Sequence, residues 1–479
     1  MKNYKKVYAA FILAGGLILH GCNGIFDDLA INPNQPSMGA YFTSPSAVND
    51  AVMTMYGYMS TQRCLGASGS KTTIIRSDEA SSNSDYGKPG MFGADLNASY
   101  YTIEQPYTLM YTTASQASYI IETAPSVDFS GNEEMRNAYM GEAYFWRAFA
   151  HYYLLINFRN ISPIRQMPRN GDDYVRPLEK PAAVWNFIQE DLAHAKELLP
   201  VKGYWDSKNA GRVTKASAAA LLGKAYLYRS GIEQYYGEDK TTFYSEAAKE
   251  FGDVIDGKYG TYDLTKNYAD NFDVAHENNE ESILEFQFLG DVDNAGFNPG
   301  LATSGLAFDS RGLMLPGAGV GYEGVVHNWL YNAFVNSVDK DGYTDIRMFS
   351  TMIFNDLDAS IHLRNDAGGN PVRLEGPGGY KWEELYPAKN GKEGFATVSN
   401  PLAHSFKAGI RKGIDCSMPT QTEADGTPKL VGVGAGVKEY VYNQPRAHGV
   451  NWRYIRYADV LMMYAESVVS GGTPASNMT

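Results

Sequence analysis

Two segments of the chain carry ligand-binding residue types at nearly the required spacing. Residues 319–324 (Gly-Val-Gly-Tyr-Glu-Gly) repeat the glycine spacing with which dinucleotide-binding proteins approach a pyrophosphate, but no strand–helix–strand pattern surrounds them. Residues 291–296 begin like a calcium-binding loop, yet Ala302 stands where the closing glutamate belongs. We interpret the first segment as a glycine-rich loop. The sequence therefore predicts neither a cofactor nor a metal ion.

The residues of hydrolytic catalysis also lack their usual spacing. The eight histidines never take the spacing of a zinc hydrolase, and no Gly-x-Ser-x-Gly turn occurs. The adjacent acid pairs at 27–28 and 383–384 point apart on any regular element, so neither pair can flank one glycosidic bond. Carboxylates far apart in the sequence could still meet, which leaves a glycoside hydrolase open as an alternative. We predict a binding protein rather than an enzyme.

The composition fits a globular binding protein. The chain has 479 residues, of which 44% are hydrophobic, and its net charge is −13. This negative charge argues against a partner such as nucleic acid or an anionic membrane surface. Tyrosine is abundant, with 35 residues, and its flat apolar face and hydroxyl suit both wet binding surfaces and half-buried helix packing.

The N-terminus has the features of an export signal. Three lysines within the first six residues precede an uncharged run at 7–19, which is too short to cross a bilayer core of about 30 Å as a helix. Residues 19–22 (Leu-His-Gly-Cys) resemble the bacterial lipobox, although a small residue is more usual where the histidine stands. We predict a signal peptide over 1–21, lipidation of Cys22 and a tether over 22–43. Two acyl chains suffice for stable anchoring.

Two cysteines remain after Cys22. Cys64 and Cys416 would lie in an exported protein, where disulfides persist. Two cysteines make no disulfide framework in a chain of this length, and the sequence leaves open whether they pair.

Apolar residues at helical spacing dominate the first half of the chain. Together with capping residues they predict helices over 44–59, 105–124, 133–158, 182–199, 215–229 and 243–255, and over 452–468 near the end. We expect the last helix to pack against the earlier ones, because the intervening region offers few regular apolar faces. Arg147 and His151, one helical turn apart, we interpret as a satisfied internal pair.

An internal repeat accompanies these helices. Residues 140–144 and 222–226 both have the pattern apolar-Gly-x-x-Tyr, which resembles the first helix of a tetratricopeptide pair. In that pattern the glycine lets the paired helix approach closely, and the tyrosine fills the groove between neighbours. The spacing of the two copies exceeds the usual 34-residue period, so we expect extended linking loops.

The order of several segments resembles that of the SusD/RagB lipoproteins of Bacteroidota. The resemblance runs from residue 19 to 467 and rests on the lipobox and on residues 25–28, 141–149, 191–192, 198–200, 212–218, 345–347 and 455–466. Tyr144 and Trp146 depart from the basic residue and the leucine common at those positions. The family normally continues with an Asn/Arg-rich segment and a final helical block, so we expect this chain to be truncated at its C-terminus.

The resemblance implies a mainly α fold, a tetratricopeptide-like scaffold of helical pairs with a large loop-rich insertion containing short strands. It places the SusD-like scaffold at 44–256, a ligand-binding region rich in Gly, Asn, Asp and Pro at 257–445, and a return to the scaffold at 446–479. The implied function is non-catalytic capture of oligosaccharides on the outer face of the outer membrane, for delivery to a SusC-type TonB-dependent transporter. Capture of oligopeptides for the same type of transporter is the alternative.

Aromatic side chains in loop-like stretches are the candidate ligand contacts, because sugar rings stack their CH faces on such side chains. They are Tyr86, Tyr322, Trp329, Tyr380, Trp382 and Trp452. Packing within the protein is an alternative role for each of them, and the sequence names no particular sugar.

Overall fold

The structure is a computed structural model. It describes residues 42–82 except 62, 67–68, 70–72 and 74–75, then 97–167, 175–237, 239–288, 324–354, 361–365 and 450–475, and short strands at 308–309, 408–410, 430–432, 438–440 and 447–448. The predictions for Cys22, Tyr86, Tyr322, Tyr380 and Trp382 lie outside the described residues.

Helices form most of the first half of the chain, as predicted. They are α1 (Pro45–Ser60), α2 (Tyr101–Thr123), α3 (Glu133–Phe158), α4 (Pro181–Leu198), α5 (Lys215–Tyr236) and α6 (Tyr244–Ile255). The side chain of Ser44 accepts a hydrogen bond at the start of α1, and Asn132 does the same for α3. Gly237 ends α5 in the left-handed conformation, which glycine adopts without a steric penalty.

Successive helices pack against each other along the chain, from α2 on α3 to α5 on α6. The two repeat glycines lie where these helices approach most closely. A Cβ on Gly141 of α3 would come within 2.9 Å of Leu199, which directly follows α4, and a Cβ on Gly223 of α5 within 2.7 Å of Phe251 in α6. The predicted role of glycine in admitting the paired helix is therefore confirmed at both positions.

Short strands lie mostly in the second half of the chain, which also contains further helices, and one of the described strands lies in the first half. The strands are β1 (Ala80–Ser82), β2 (Ser282–Phe286), β3 (Phe308–Asp309), β4 (Gly324–Val326), β5 (Met352–Phe354), β6 (Ala408–Ile410), β7 (Leu430–Gly432), β8 (Lys438–Tyr440), β9 (Ala447–His448) and β10 (Trp452–Arg456). The helices are α7 (Asn328–Asn336), α8 (Arg347–Thr351) and α9 (Tyr457–Val469). An antiparallel sheet has the order β1-β4-β6-β5, and β2 pairs with β10, β3 with β9 and β7 with β8.

The last predicted helix is shorter than expected. Residues 452–456 form strand β10 instead, because they complete an antiparallel ladder with β2, and the helix begins at Tyr457. Helix α9 packs against α6 and α5. The prediction that this helix joins the scaffold is therefore confirmed, whereas its predicted start was wrong.

The core follows the helical scaffold. Its largest fully buried side chains include Trp146, Tyr152 and Phe149 of α3 together with Trp185 of α4 and Phe251 of α6. Abundant aromatic side chains thus fill the scaffold interior. Within the described part of the chain, no helix is long and apolar enough to cross a membrane.

Candidate functional site

Two buried polar side chains of α3, Arg147 and His151, make hydrogen bonds within the scaffold. The Arg147 guanidinium in α3 donates from Nε and Nη2 to the two carboxylate oxygens of Asp191 in α4, over 2.7 Å each. The ring of His151 lies between two backbone groups, with Nδ1 2.8 Å from the carbonyl oxygen of Arg147 and Nε2 accepting from the Ile164 N–H over 2.9 Å.

Because a carbonyl only accepts, Nδ1 of His151 carries the proton and the imidazole is neutral. Burial lowers the pKa of His151 to about 3, which agrees with this assignment. The predicted internal role of Arg147 and His151 is confirmed, since both side chains are buried and bonded within the scaffold.

A second buried ion pair joins Glu142 of α3 to Arg212. Glu142 accepts from Nε of Arg212 over 2.8 Å and from the Tyr56 hydroxyl over 2.6 Å, and that hydroxyl in turn accepts from the Val213 N–H. Glycoside hydrolysis needs two carboxyl groups that face a common substrate cavity. The carboxylates of Glu142 and Asp191 instead hold helices and loops of the scaffold together.

Trp329 has a different environment, and it lies in helix α7 rather than in the loop predicted for it. Its side chain is 49% exposed, and its indole N–H donates to the carbonyl oxygen of Asp78 over 2.7 Å. The preceding His327 N–H donates to the carbonyl oxygen of Glu79 over 2.8 Å, just beyond the pairing of β4 with β1. An exposed aromatic ring is therefore held in a fixed orientation by the sheet beside it.

A cleft of about 470 Å³ lies at the other end of α7. It is lined by Ser337, Val338, Asp339, Thr344, Asp345, Ile346, Phe349, Leu363, Arg364 and Asn365. The Thr344 N–H donates to the carbonyl oxygen of His362 over 2.9 Å, and the His362 N–H donates back to Oγ1 of Thr344 over 3.0 Å. These bonds join the two walls of the cleft. Its volume falls within the range of small-ligand pockets, about 300–1,000 Å³.

Comparisons with known proteins agree on one family. The model of the SusD-like family, described as "Starch-binding associating with outer membrane", matches residues 31–227. A SusD-like protein of Bacteroides ovatus is 26% identical over 293 residues, which cover 60% of this chain and 51% of that protein. These comparisons support a SusD/RagB family protein.

Solved structures show the same fold. The crystal structure of a SusD superfamily protein from Bacteroides vulgatus superposes with a TM-score of 0.63 at 20% identity, covering 90% of this chain and 77% of that one. A laminarin-binding SusD-like protein gives a TM-score of 0.57 at 20% identity, covering 90% and 82%. The chain spans about half the length of the curated relative from Bacteroides ovatus.

The two predicted tryptophans that the structure describes lie in different settings. Trp452 is half-buried in β10, with its ring centroid 5.4 Å from that of Tyr454 and 5.9 Å from that of Phe286. Trp329 keeps half of its surface exposed. The assignment of both tryptophans as ligand contacts stays a prediction, and the geometry favours Trp329.

The cleft beyond α7 was absent from the sequence-based site. One signal was available: residues 339–343 (Asp-Lys-Asp-Gly-Tyr) are typical of a tight turn, and exposed turns often border binding sites.

In the described part of the chain, no three His, Cys, Asp or Glu side chains come together as a metal site requires. Cys64 is a buried free thiol, and burial raises its pKa to about 12. Its reactivity as a thiolate is therefore suppressed.

Proposed function

We propose that this protein captures oligosaccharides without catalysis and passes them to a SusC-type TonB-dependent transporter. The observation that carries the proposal is Trp329, whose ring is half-exposed yet fixed by the hydrogen bond to Asp78. A fixed aromatic face binds the CH face of a sugar ring without an ordering cost for the side chain. Starch is named in the family description and laminarin in the name of one structural neighbour, and both support a glycan ligand.

Two features support binding over turnover. The buried carboxylates of Asp191 and Glu142 in the scaffold pair with arginines, and Asp339 and Asp345 at the cleft also pair with arginines. An exposed aromatic contact of this kind contributes about 1 kcal/mol beyond area burial. Because association costs offset much of this gain, we expect affinities in the micromolar to millimolar range.

The sequence of the N-terminus and the family description support a location at the outer membrane. The family description refers to the outer membrane. We propose that acylation of Cys22 anchors the protein there, facing the cell exterior. Cys22→Ala should release the protein from membranes, as measured by fractionation of cells. A variant that remains in the membrane fraction after a high-salt wash would contradict this anchor.

The proposed function is tested by titration calorimetry with malto-, laminari- and cello-oligosaccharides and with a peptide mixture. We expect glycan binding, and we expect Trp329→Ala to weaken it about tenfold through loss of ring stacking. Tyr235→Ala is the control, because this tyrosine is also aromatic and exposed, at 84%, but lies on the scaffold helix α5.

Chromatography of the same mixtures separates the alternatives. Shortened oligosaccharides would show a glycoside hydrolase, and binding of peptides alone would show the oligopeptide-capturing alternative. If Trp329→Ala and Tyr235→Ala bind glycans as tightly as the unaltered protein, Trp329 is not a ligand contact.

A further inference from the structure

The floor of the cleft beyond α7 is apolar and largely aliphatic. Val338 is 50% exposed and Ile346 56% exposed, while Phe349 is buried and Leu363 half-buried against the core. A sugar ring stacks best on a flat aromatic face such as that of Trp329. Branched aliphatic side chains around a concave floor instead suit a compact apolar group such as a methyl.

The rim of the cleft supplies hydrogen-bonding groups above this floor. Arg364 contacts the carboxylates of Asp339 and Asp341 through Nη2, and its guanidinium carbon lies 4.8 Å from the ring centroid of Tyr343. Among the described residues, the N–H groups at Nε and Nη1 have no hydrogen-bond partner, and the side chain is already held in place. The side chain of Asn365 makes no hydrogen bond within the described residues, so it offers one acceptor and a pair of N–H donors.

The charges of the cleft disfavour an anionic ligand. Arg364 is paired with Asp339 and Asp341, and Arg347 is paired with Asp345. Of these groups, Asp339, Asp345 and Arg364 line the cleft, so its lining carries one negative charge in excess. Hydrogen bonds from Arg347 hold the pKa of Asp345 below its usual range, so this carboxylate stays ionised. Uronic acids and sulfated sugars would be repelled, whereas a neutral sugar would not.

We propose that this cleft is a subsite for an N-acetylated hexose residue of the glycan. The acetamido methyl contacts the floor of Val338 and Ile346, and the acetamido carbonyl and N–H bond to Arg364 and Asn365. An acetamido group combines a methyl, one hydrogen-bond acceptor and one donor. The methyl matches the apolar floor, the acceptor matches the N–H groups of Arg364, and the donor matches the side-chain oxygen of Asn365. This proposal rests on the proposed function and names a substrate class for it.

The test compares two tetrasaccharides with the same β-1,4 linkage. Chitotetraose carries an acetamido group on each ring where cellotetraose carries a hydroxyl, so a difference in affinity measures recognition of that group. We expect titration calorimetry to show at least tenfold tighter binding of chitotetraose. Ile346→Asp, which places a carboxylate on the apolar floor, should reduce this preference to below twofold.

Two further variants complete the design. Asn365→Ala should reduce the preference several-fold through loss of the amide hydrogen bonds. Leu178→Asp introduces the same charge at a residue that is 68% exposed outside the cleft, and it should keep the full preference. Circular dichroism of each variant checks that the helical content is unchanged.

The outcomes distinguish the subsite from the proposed function. If the protein binds chitotetraose and cellotetraose with equal affinity, the acetamido subsite is overturned and the proposal of glycan capture stands. A preference for chitotetraose that persists in Ile346→Asp and Asn365→Ala would place acetamido recognition elsewhere and overturn this assignment. Absence of binding to every glycan tested would overturn the proposed function and the subsite with it.

Discussion

Arginine–aspartate pairs occur both in the helical scaffold and in the loop-rich region, but their surroundings differ. Arg147 and Asp191 are buried between α3 and α4, with 7% and 3% of their side chains exposed. The side chain of Arg347, paired with Asp345 beside the cleft, is 58% exposed. The same chemical pair thus joins helices in one region and borders solvent in the other. Residue type alone therefore does not show whether a charged side chain stabilises the fold or can bind a ligand. The burial of the side chain and its free hydrogen-bonding groups decide this.

The largest expected effect tests this difference directly. Arg147→Met should lower the free energy of unfolding by about 3–5 kcal/mol, because it leaves the Asp191 carboxylate buried without its partner. Arg347→Met removes the matching group from a pair whose arginine is 58% and whose aspartate is 17% exposed, so solvent screens the pair and the loss should be smaller, about 1 kcal/mol. Chemical denaturation measures both values. Similar losses for the two variants would remove the distinction between the regions.

Substitutions of glycine should destabilise the two regions for different physical reasons. Gly141→Ala places a methyl within 2.9 Å of Leu199 and should cost about 1–3 kcal/mol through overpacking. Gly342, in the turn beside the cleft, has open space around it but a φ of +85°, so Gly342→Ala should cost about 1–2 kcal/mol through backbone strain.

Asparagine variants distinguish these two causes. Asparagine tolerates the left-handed region but is larger than alanine. Gly342→Asn should therefore be more stable than Gly342→Ala, whereas Gly141→Asn should be less stable than Gly141→Ala. Thermal denaturation measures the stabilities of the four variants. If the alanine and asparagine variants rank in the same order at both positions, one of the two explanations is wrong.

A pH-dependent loss of stability also tests the buried scaffold. His151 is neutral in the folded state with a pKa of about 3, whereas an unfolded histidine has a pKa of about 6.5. The unfolded state therefore takes up a proton as the pH falls below about 6.5, and the folded state does not until about pH 3. This proton should lower the free energy of unfolding by up to about 1.4 kcal/mol per pH unit in that window.

Denaturation at several pH values between 4 and 7 measures this slope. His151→Gln removes the titrating group, so its unfolding free energy should fall less steeply with decreasing pH than that of the unaltered protein. Equal slopes for the two proteins would show that His151 is not the group responsible.

The sequence predicted the helices well because their periodicity and caps are local. The predicted helix over 133–158 agrees with α3, and the repeat glycines indicated which helix faces pack closely. The strand at 452–456 was missed because its partner β2 lies far away in the sequence, and no local pattern reveals that pairing.

The site was harder to predict for the same reason. Trp329 could be selected as an aromatic residue, but its fixed orientation depends on the carbonyl of Asp78, a residue distant in sequence. The cleft requires residues 361–365 to meet the turn at 337–346 through backbone hydrogen bonds, which side-chain types alone do not predict. Trp452 was selected as a loop residue, whereas its ring packs against Phe286.

The ladder between β2 and β10 has a consequence for how the loop-rich region can vary. Phe286 and Trp452 are register partners, so the two ends of residues 287–451 are held at the spacing of neighbouring strands, about 5 Å. Closing such a connection costs entropy that grows only with the logarithm of its length, and a doubling adds about 0.6 kcal/mol. The helical scaffold can therefore carry connections of very different length with little change in its own stability, which lets ligand preference change by insertion and deletion while the helices stay folded.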